Sequence, residues 1–151
     1  MNKQGEIRVI VLGLIRDGDR SDNVNSDRIF VSEGYDPVKQ QTFYRALGGG
    51  VDFGETSLAA LEREFKEEIQ ADLKNIRYLG CMENLFTFNG KQGHEIIQLY
   101  QCDFANSEFY QLESLVFSES ENHKHKALWI DIARFKSGEL KLVPKEFFDY
   151  L

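Results

Sequence analysis

The sequence predicts an α/β or α+β domain in which helices cover a mixed β-sheet. Three observations carry that expectation. Strand-like runs fill most of the chain. Only one strongly amphipathic helical segment, near the middle, interrupts them, and a shorter one closes the C-terminus. An Asn-Gly pair between two extended runs marks a hairpin. At 151 residues the chain forms a single domain, 1–151, with a substantial core.

The elements follow in order. Ile7 to Ile15 is apolar and β-branched, as a buried central strand requires. Asp17 to Asn25 is rich in Asp, Gly, Ser and Asn and reads as a polar turn. Arg28 to Ser32 alternates and is expected to pair with the first strand as a hairpin. Gly34 to Gln41, with Pro37, reads as a connection, and Phe43 to Leu47 as a short strand. After the central helix, Asn75 to Phe88 is extended, Asn89-Gly90 turns, and His94 to Phe104 returns. Ala105 to Lys126 is polar and charged and reads as a long irregular loop. Ala127 to Ile132 is a strand leading into a short helix broken at Ser137-Gly138. Leu140 to Val143 is extended, and Pro144 opens a final helix.

The stretch Gly48 to Ala71 carries the chemistry. Its glycines Gly48, Gly49, Gly50 and Gly54 form a loop that can approach a ligand closely. Thr56 is a good N-cap. Leu58, Leu61, Phe65 and Ile69 recur at helical spacing as one apolar stripe. Glu64, Glu67 and Glu68 converge beside that stripe, so their like charges need a compensating cation. Arg63 supplies part of it, and such hard oxygen donors suit Mg²⁺ or Mn²⁺.

This pattern resembles the signature of the Nudix hydrolases, the MutT-like pyrophosphohydrolases: G-x5-E-x7-R-E-U-x-E-E-x-G-U, with U a bulky apolar residue. The chain reads Gly49, five residues, Glu55, seven residues, then Arg63-Glu64-Phe65-Lys66-Glu67-Glu68-Ile69-Gln70-Ala71. Every charged position is matched; Gln70 stands in place of the second glycine, where a better helix former would let the helix run on. The resemblance implies an α/β/α sandwich with a mixed sheet and a loop-helix-loop motif. It implies metal-dependent hydrolysis of a pyrophosphate bond in a nucleoside diphosphate linked to another moiety, such as a nucleotide sugar like ADP-ribose, or in a nucleoside triphosphate. Carried onto this chain, the metal ligands are Glu64, Glu67, Glu68 and the Gly48 carbonyl, with Arg63 orienting Glu55 or Glu67. The general base is left between Glu119 and Glu121, with Glu95 behind them. Arg45, Tyr44 and Phe53 are candidates for contacts with substrate; packing is the commoner role for Phe53, as for Phe86 and Phe88. The resemblance also leans toward a homodimer. The alternative is a catalytically silent module of the same fold that binds or senses a nucleotide; loss of a helical glutamate would favour it, and all three are present.

Composition narrows the setting. The formal net charge is −7, which disfavours nonspecific binding to nucleic-acid backbones. No long apolar N-terminal run is present, so neither a signal peptide nor a membrane span is expected. Cys81 and Cys102 lie in apolar runs and read as buried thiols in a cytoplasmic protein. His94 reads as a packed histidine, and His123 and His125 as exposed ones.

Overall fold

The structure is a computed structural model that describes residues 5–18, 27–120 and 123–151, with the backbone alone at 119 and 120. Seven strands among these residues form one mixed sheet: β1 (Arg8–Leu14), β2 (Arg28–Asp36), β3 (Gln41–Gly50), β4 (Leu73–Phe88), β5 (Lys91–Phe104), β6 (Ser114–Ser120) and β7 (His123–Asp131). Their order is β4-β5-β1-β3-β2-β7-β6, with β1 and β5 parallel and the other neighbours antiparallel. Helix α1 (Ser57–Ile69) packs against β1, β3 and β6. Helix α2 (Ile132–Lys136) and a 3-10 turn at Lys145–Tyr150 cover the other face.

Alternation along β1 divides the interior in two. Ile10, Leu12 and Leu14 join Met82, Ile97, Leu99, Phe135 and Phe147 in one core. Val11 and Ile15 join Leu61, Phe65, Phe104 and Trp129 in the other, beneath α1. Strand β3 links the two regions. Its first half pairs with β2, Asp36 opposite Gln41 through Val31 opposite Ala46. Its last residues pair with β1, Leu47 opposite Gly13 through Gly50 opposite Ile10. Gly48 to Gly50 are therefore paired strand and not the free loop expected from their composition.

The expected hairpin of the first two strands is replaced by one between β2 and β3. Both edges of β2 are taken, by β3 and β7, and among the described residues it meets the segment after β1 through a bridge, Arg16 to Ile29, and the hydrogen bonds Asp17 N–H to Arg28 O and Phe30 N–H to Ile15 O. A short turn makes this pairing local. Asp36 Oδ1 accepts from the backbone N–H of Val38 and Lys39 at 3.0 and 3.2 Å, around Pro37. Most of the polar turn read at Asp17 to Asn25 lies outside the described residues.

The second hairpin forms where Asn89-Gly90 places it, with φ of 53° and 75° at the two turn residues. Its strands are longer than expected, beginning at Leu73 and running from Lys91. The supposed loop 105–126 is largely ordered structure: a 3-10 turn at Ser107–Gln111, then β6 and the start of β7. On β6, Leu115 and Phe117 pack into the core while Ser114, Val116 and Ser118 are exposed, as an edge strand tolerates. Cys102 is buried, but Cys81 lies on the exposed face of β4, contrary to expectation. The C-terminal segment is a 3-10 turn and not an α-helix. It follows a short parallel contact with β3, in which Tyr44 N–H donates to Lys141 O and Val143 N–H to Tyr44 O.

Helix α1 begins as expected: Ala59 N–H donates to Thr56 Oγ1 at 3.1 Å. Ala60, Leu61, Phe65 and Ile69 are buried, whereas Leu58, assigned to the stripe, is 40% exposed. The helix does not run on through Gln70. Gln70 adopts the left-handed conformation, φ 54°, closed by its own N–H to Lys66 O and by Ala71 N–H to Phe65 O. It therefore occupies a glycine geometry without being glycine. Gln70→Gly is expected to stabilise the fold by roughly 0.5–1 kcal/mol, the left-handed cost of a side chain less the extra entropy glycine loses. Urea denaturation checks the sign.

Candidate functional site

Three segments meet at one guanidinium. The turn after β3 brings Asp52 and Glu55; α1 brings Arg63, Glu64 and Glu67; the end of β3 brings the Gly50 carbonyl. Arg63 donates to Glu55 from Nη2 at 2.5 Å and from Nε at 3.1 Å. Its Nη1 donates to Glu64 Oε1 at 2.9 Å and to Glu67 Oε2 at 3.3 Å. Nη2 also reaches Gly50 O at 3.0 Å, with Asp52 Oδ2 at 3.4 Å. Asp52 N–H donates to Glu55 Oε1 at 2.9 Å. The expectation that Arg63 orients Glu55 or Glu67 is thus met by contacts to both, and to Glu64 besides.

Electrostatics follow from these contacts. The Arg63 hydrogen bond, reinforced by the Asp52 N–H, holds the Glu55 carboxyl down at about 2. Glu55 in return raises the Arg63 pKa, and Glu64 adds to the effect.

Glu64 is the acid drawn in against the strand. A Cβ on Gly49 would lie 2.4 Å from Glu64 Cδ and 2.5 Å from its Oε2. With the carboxylate in this position a side chain at 49 would collide with it, so the spacing Gly49 to Glu64 has a steric cause as well as a chemical one. Glu67 is exposed, and Glu68 is half-buried one helical turn beyond Glu64. Gly48 lies on β3 opposite Leu12, next to this cradle.

Do these residues fit a divalent metal? Among the described residues no three His, Cys, Asp or Glu side chains converge as a finished cage, because Arg63 Nη1 stands between Glu64 and Glu67. A closed cage is not what Mg²⁺ requires: it binds through one or two carboxylates and completes its shell with water and substrate oxygens. The donor set is hard oxygen throughout, on a rigid helix beside an open glycine cradle, and it fits.

A cavity of about 380 Å³ lies beside the first half of β3. Phe43 and Arg45 of β3, Asn84 and Phe86 of β4, and Lys141 and Pro144 of the C-terminal segment line it. The helical carboxylates are not part of its wall. Arg45 stands four residues before Gly49, a reach of at most about 14 Å along the strand. Arg45 is held by Glu95, which is 3% exposed: Nη2 lies 3.2 and 3.3 Å from its two carboxylate oxygens. Asn84 Nδ2 donates to Glu95 at 3.2 Å.

The remaining expected residues are placed unevenly. Phe53 stands fully exposed at the tip of the turn after β3. Tyr44 does not reach the surface: it packs against Phe135 in the core and donates to Glu33 at 3.0 Å. Glu95, considered as a base, is instead a buried partner of Arg45 and Asn84. Glu119 falls on β6, where the backbone alone is described, and Glu121 lies outside the described residues. Asp52 and Asn84 went unmarked in the sequence; Asp52 sat inside the Gly49-to-Glu55 spacing, while nothing in the sequence signalled Asn84.

A mixed sheet, a glycine-ended strand and an acidic helix locked by one arginine are the parts that the comparison with known proteins must match. Residues 8–151 match the NUDIX domain family, and the chain belongs to it. It is similar in structure to a MutT NUDIX hydrolase from Burkholderia pseudomallei, at 21% identity over 85% of each chain with a TM-score of 0.56. It is also similar to a NUDIX hydrolase from Nitrosomonas europaea, at 15% identity over 95% of this chain and 85% of that one, with a TM-score of 0.57. At these identities the likeness shows the fold. No curated protein matches the chain.

The acid limb of stability should report the Arg63 pair. Glu55 is lowered from 4.5 to about 2, so its contribution is fully present above pH 4.5 and is lost as pH falls toward 2. Glu55→Gln should flatten the melting temperature across that window relative to the parent protein, followed by calorimetry.

Proposed function

We propose that this protein is a metal-dependent pyrophosphohydrolase acting on a nucleoside diphosphate linked to another group. The observation that carries this reading is the gathering of Glu55, Glu64 and Glu67 on Arg63 against the glycine end of β3. Family membership supports hydrolysis of a phosphorus-containing substrate; the narrower substrate class is the reading offered here.

In the reaction a water oxygen attacks one phosphorus, the P–O–P bridge breaks, and the departing phosphate keeps the bridging oxygen. One water supplies the new P–O bond, and two phosphate-bearing products result. Glu64, Glu67 and Glu68, with the Gly48 carbonyl, would hold Mg²⁺ or Mn²⁺. When bound, the ion offsets the charge of the diphosphate and lowers the pKa of water. Arg63 keeps Glu64 and Glu67 oriented, and Glu55 keeps Arg63 in place. Proton removal from water is assigned to Glu119 or Glu121. The backbone of β6 packs against α1, which supports Glu119. The cavity takes the organic part of the substrate, with Arg45 donating to it and the Phe43 and Phe86 rings offering apolar wall. A cytoplasmic setting accords with two cysteines that form no disulfide. Among the described residues no helix is long and apolar enough to cross a membrane.

The decisive experiment is a panel of nucleotide sugars, dinucleoside polyphosphates and nucleoside triphosphates with Mg²⁺ and with Mn²⁺, reading product identity. At least one member should be cleaved at its pyrophosphate, and EDTA should abolish turnover. Binding without cleavage across the panel would convert the reading to a silent sensing module. Glu67→Gln and Glu68→Gln should each lower kcat by about a hundredfold or more with little change in melting temperature. Full Mg²⁺-dependent turnover in either variant would remove that residue from the metal site.

A further inference from the structure

We propose that Arg8 is a substrate-binding residue that takes an anionic phosphate oxygen beside the glycine end of β3, on the face away from α1; this rests on the hydrolase reading above. Arg8 opens β1, two residues before Ile10, whose partner on β3 is Gly50. Its guanidinium lies against that glycine. A Cβ on Gly50 would stand 2.8 Å from Arg8 Nη2, 3.4 Å from Nε and 3.5 Å from Cζ. Gly50 thus has a guanidinium on either side: Arg63 on its carbonyl oxygen at 3.0 Å, and Arg8 over its Cα.

The two arginines differ in what satisfies them. Arg63 is surrounded by Glu55, Glu64, Glu67 and Asp52. The Arg8 side chain has no hydrogen bond, ion pair or ring contact among the described residues. Among the described residues its donors are unspent, although the residue is half-buried. A guanidinium carries five N–H donors in a fixed fork and keeps its charge at every relevant pH.

The neighbours explain why Arg8 is left over. By alternation Arg8 shares a face with Ile10 and Leu12, the face opposite α1. On the adjacent parallel strand its register partner is Glu95, whose neighbours Ile97 and Leu99 belong to the same core. Glu95 is already engaged by Arg45 and Asn84. The nearby acid on β3's turn, Asp52, faces Arg63. Arg8, Glu95 and Arg45 therefore form a row with one more positive than negative charge, in a chain whose net charge is −7. The row runs from the glycine strand to the cavity wall. A fork of unpaired donors on such a row suits phosphate oxygens, which accept two parallel N–H bonds.

The test is calorimetric titration with inorganic pyrophosphate in metal-free buffer, so that the readout is independent of the metal site. Arg8→Met keeps the packing of the stem and removes the charge; Arg8→Lys restores a point charge without the fork. Arg8→Met should weaken pyrophosphate binding by about tenfold to a hundredfold, and Arg8→Lys by less, with melting temperatures within about 2 °C of the parent. Equal affinity in Arg8→Met and the parent protein, or no binding by the parent, overturns the assignment. The same variants on the nucleotide panel separate the two readings. Turnover with an unchanged KM in Arg8→Met sinks the role of Arg8 and leaves the hydrolase standing. Lost pyrophosphate binding alongside a panel that the parent never cleaves sinks the hydrolase and leaves the anion site.

Discussion

The bidentate pair between Arg63 and Glu55 is the constraint on which the site depends. Three carboxylates within five residues of a helix, Glu64, Glu67 and Glu68, repel one another, and an isolated helix would spread them. Here a single guanidinium collects Glu64 and Glu67 while Glu55 grips its other edge. The contrast with Lys66 decides which pair matters. Lys66 meets Asp72 with both side chains well over half exposed, an arrangement worth about 0–1 kcal/mol at most. Arg63 is about a quarter exposed and bonds to three acids and a carbonyl. Its planar fork gives direction as well as attraction, so it fixes where the carboxylates point and not merely that they are neutralised.

That fixed point is placed by β3. The strand leaves β2 and joins β1 within ten residues, so its two halves serve different neighbours. Tyr44 and Ala46 fill the core on the α2 side, and Leu47 fills the core beneath α1. A strand committed to both cores has little freedom to slide, since a one-residue slip would exchange every inward and outward side chain. The glycines inherit that rigidity. Gly49 presents its bare Cα to Glu64 and Gly50 presents its own to Arg8. The reason for glycine here is therefore close approach from two sides, more than the flexibility that a glycine run suggests.

This difference shows what was legible in the sequence. The helix, its cap, the acids and the Asn89-Gly90 hairpin are local: spacing and turn chemistry specify them, and the structure reproduces them. The pairing of β2 with β3 was hidden because the residues that decide it are a four-residue turn around Pro37 and the free edge of a distant strand, β7. Strand β6 was hidden because an edge strand of Ser, Glu and Val, carrying Leu115 and Phe117 into the core, has the composition of a loop. Gln70 misled through propensity: its preference for helix is weaker than the geometry imposed by Ala71, which must turn into the core. Tyr44 and Glu95 misled because a polar group near a motif suggests function, while both are satisfied partners in the interior.

Arg63 and a divalent cation need not compete for the same acids. A carboxylate has two oxygens and about four acceptor directions. Glu64 gives Oε1 to Arg63, and its Oε2 lies over the open Cα of Gly49. Glu67 gives Oε2 alone. Each acid thus spends one oxygen on being oriented, and the other would be open to a hard cation. Glu55 differs, since both of its oxygens are taken by Arg63, and the Asp52 N–H adds to one of them. The same motif therefore contains two kinds of glutamate, one that anchors the arginine and others that the arginine aims. The depression of Glu55 to about 2 is the electrostatic mark of the first kind. An acid that is ionised and fully engaged at every working pH is suited to hold geometry, and unsuited to exchange a proton with water.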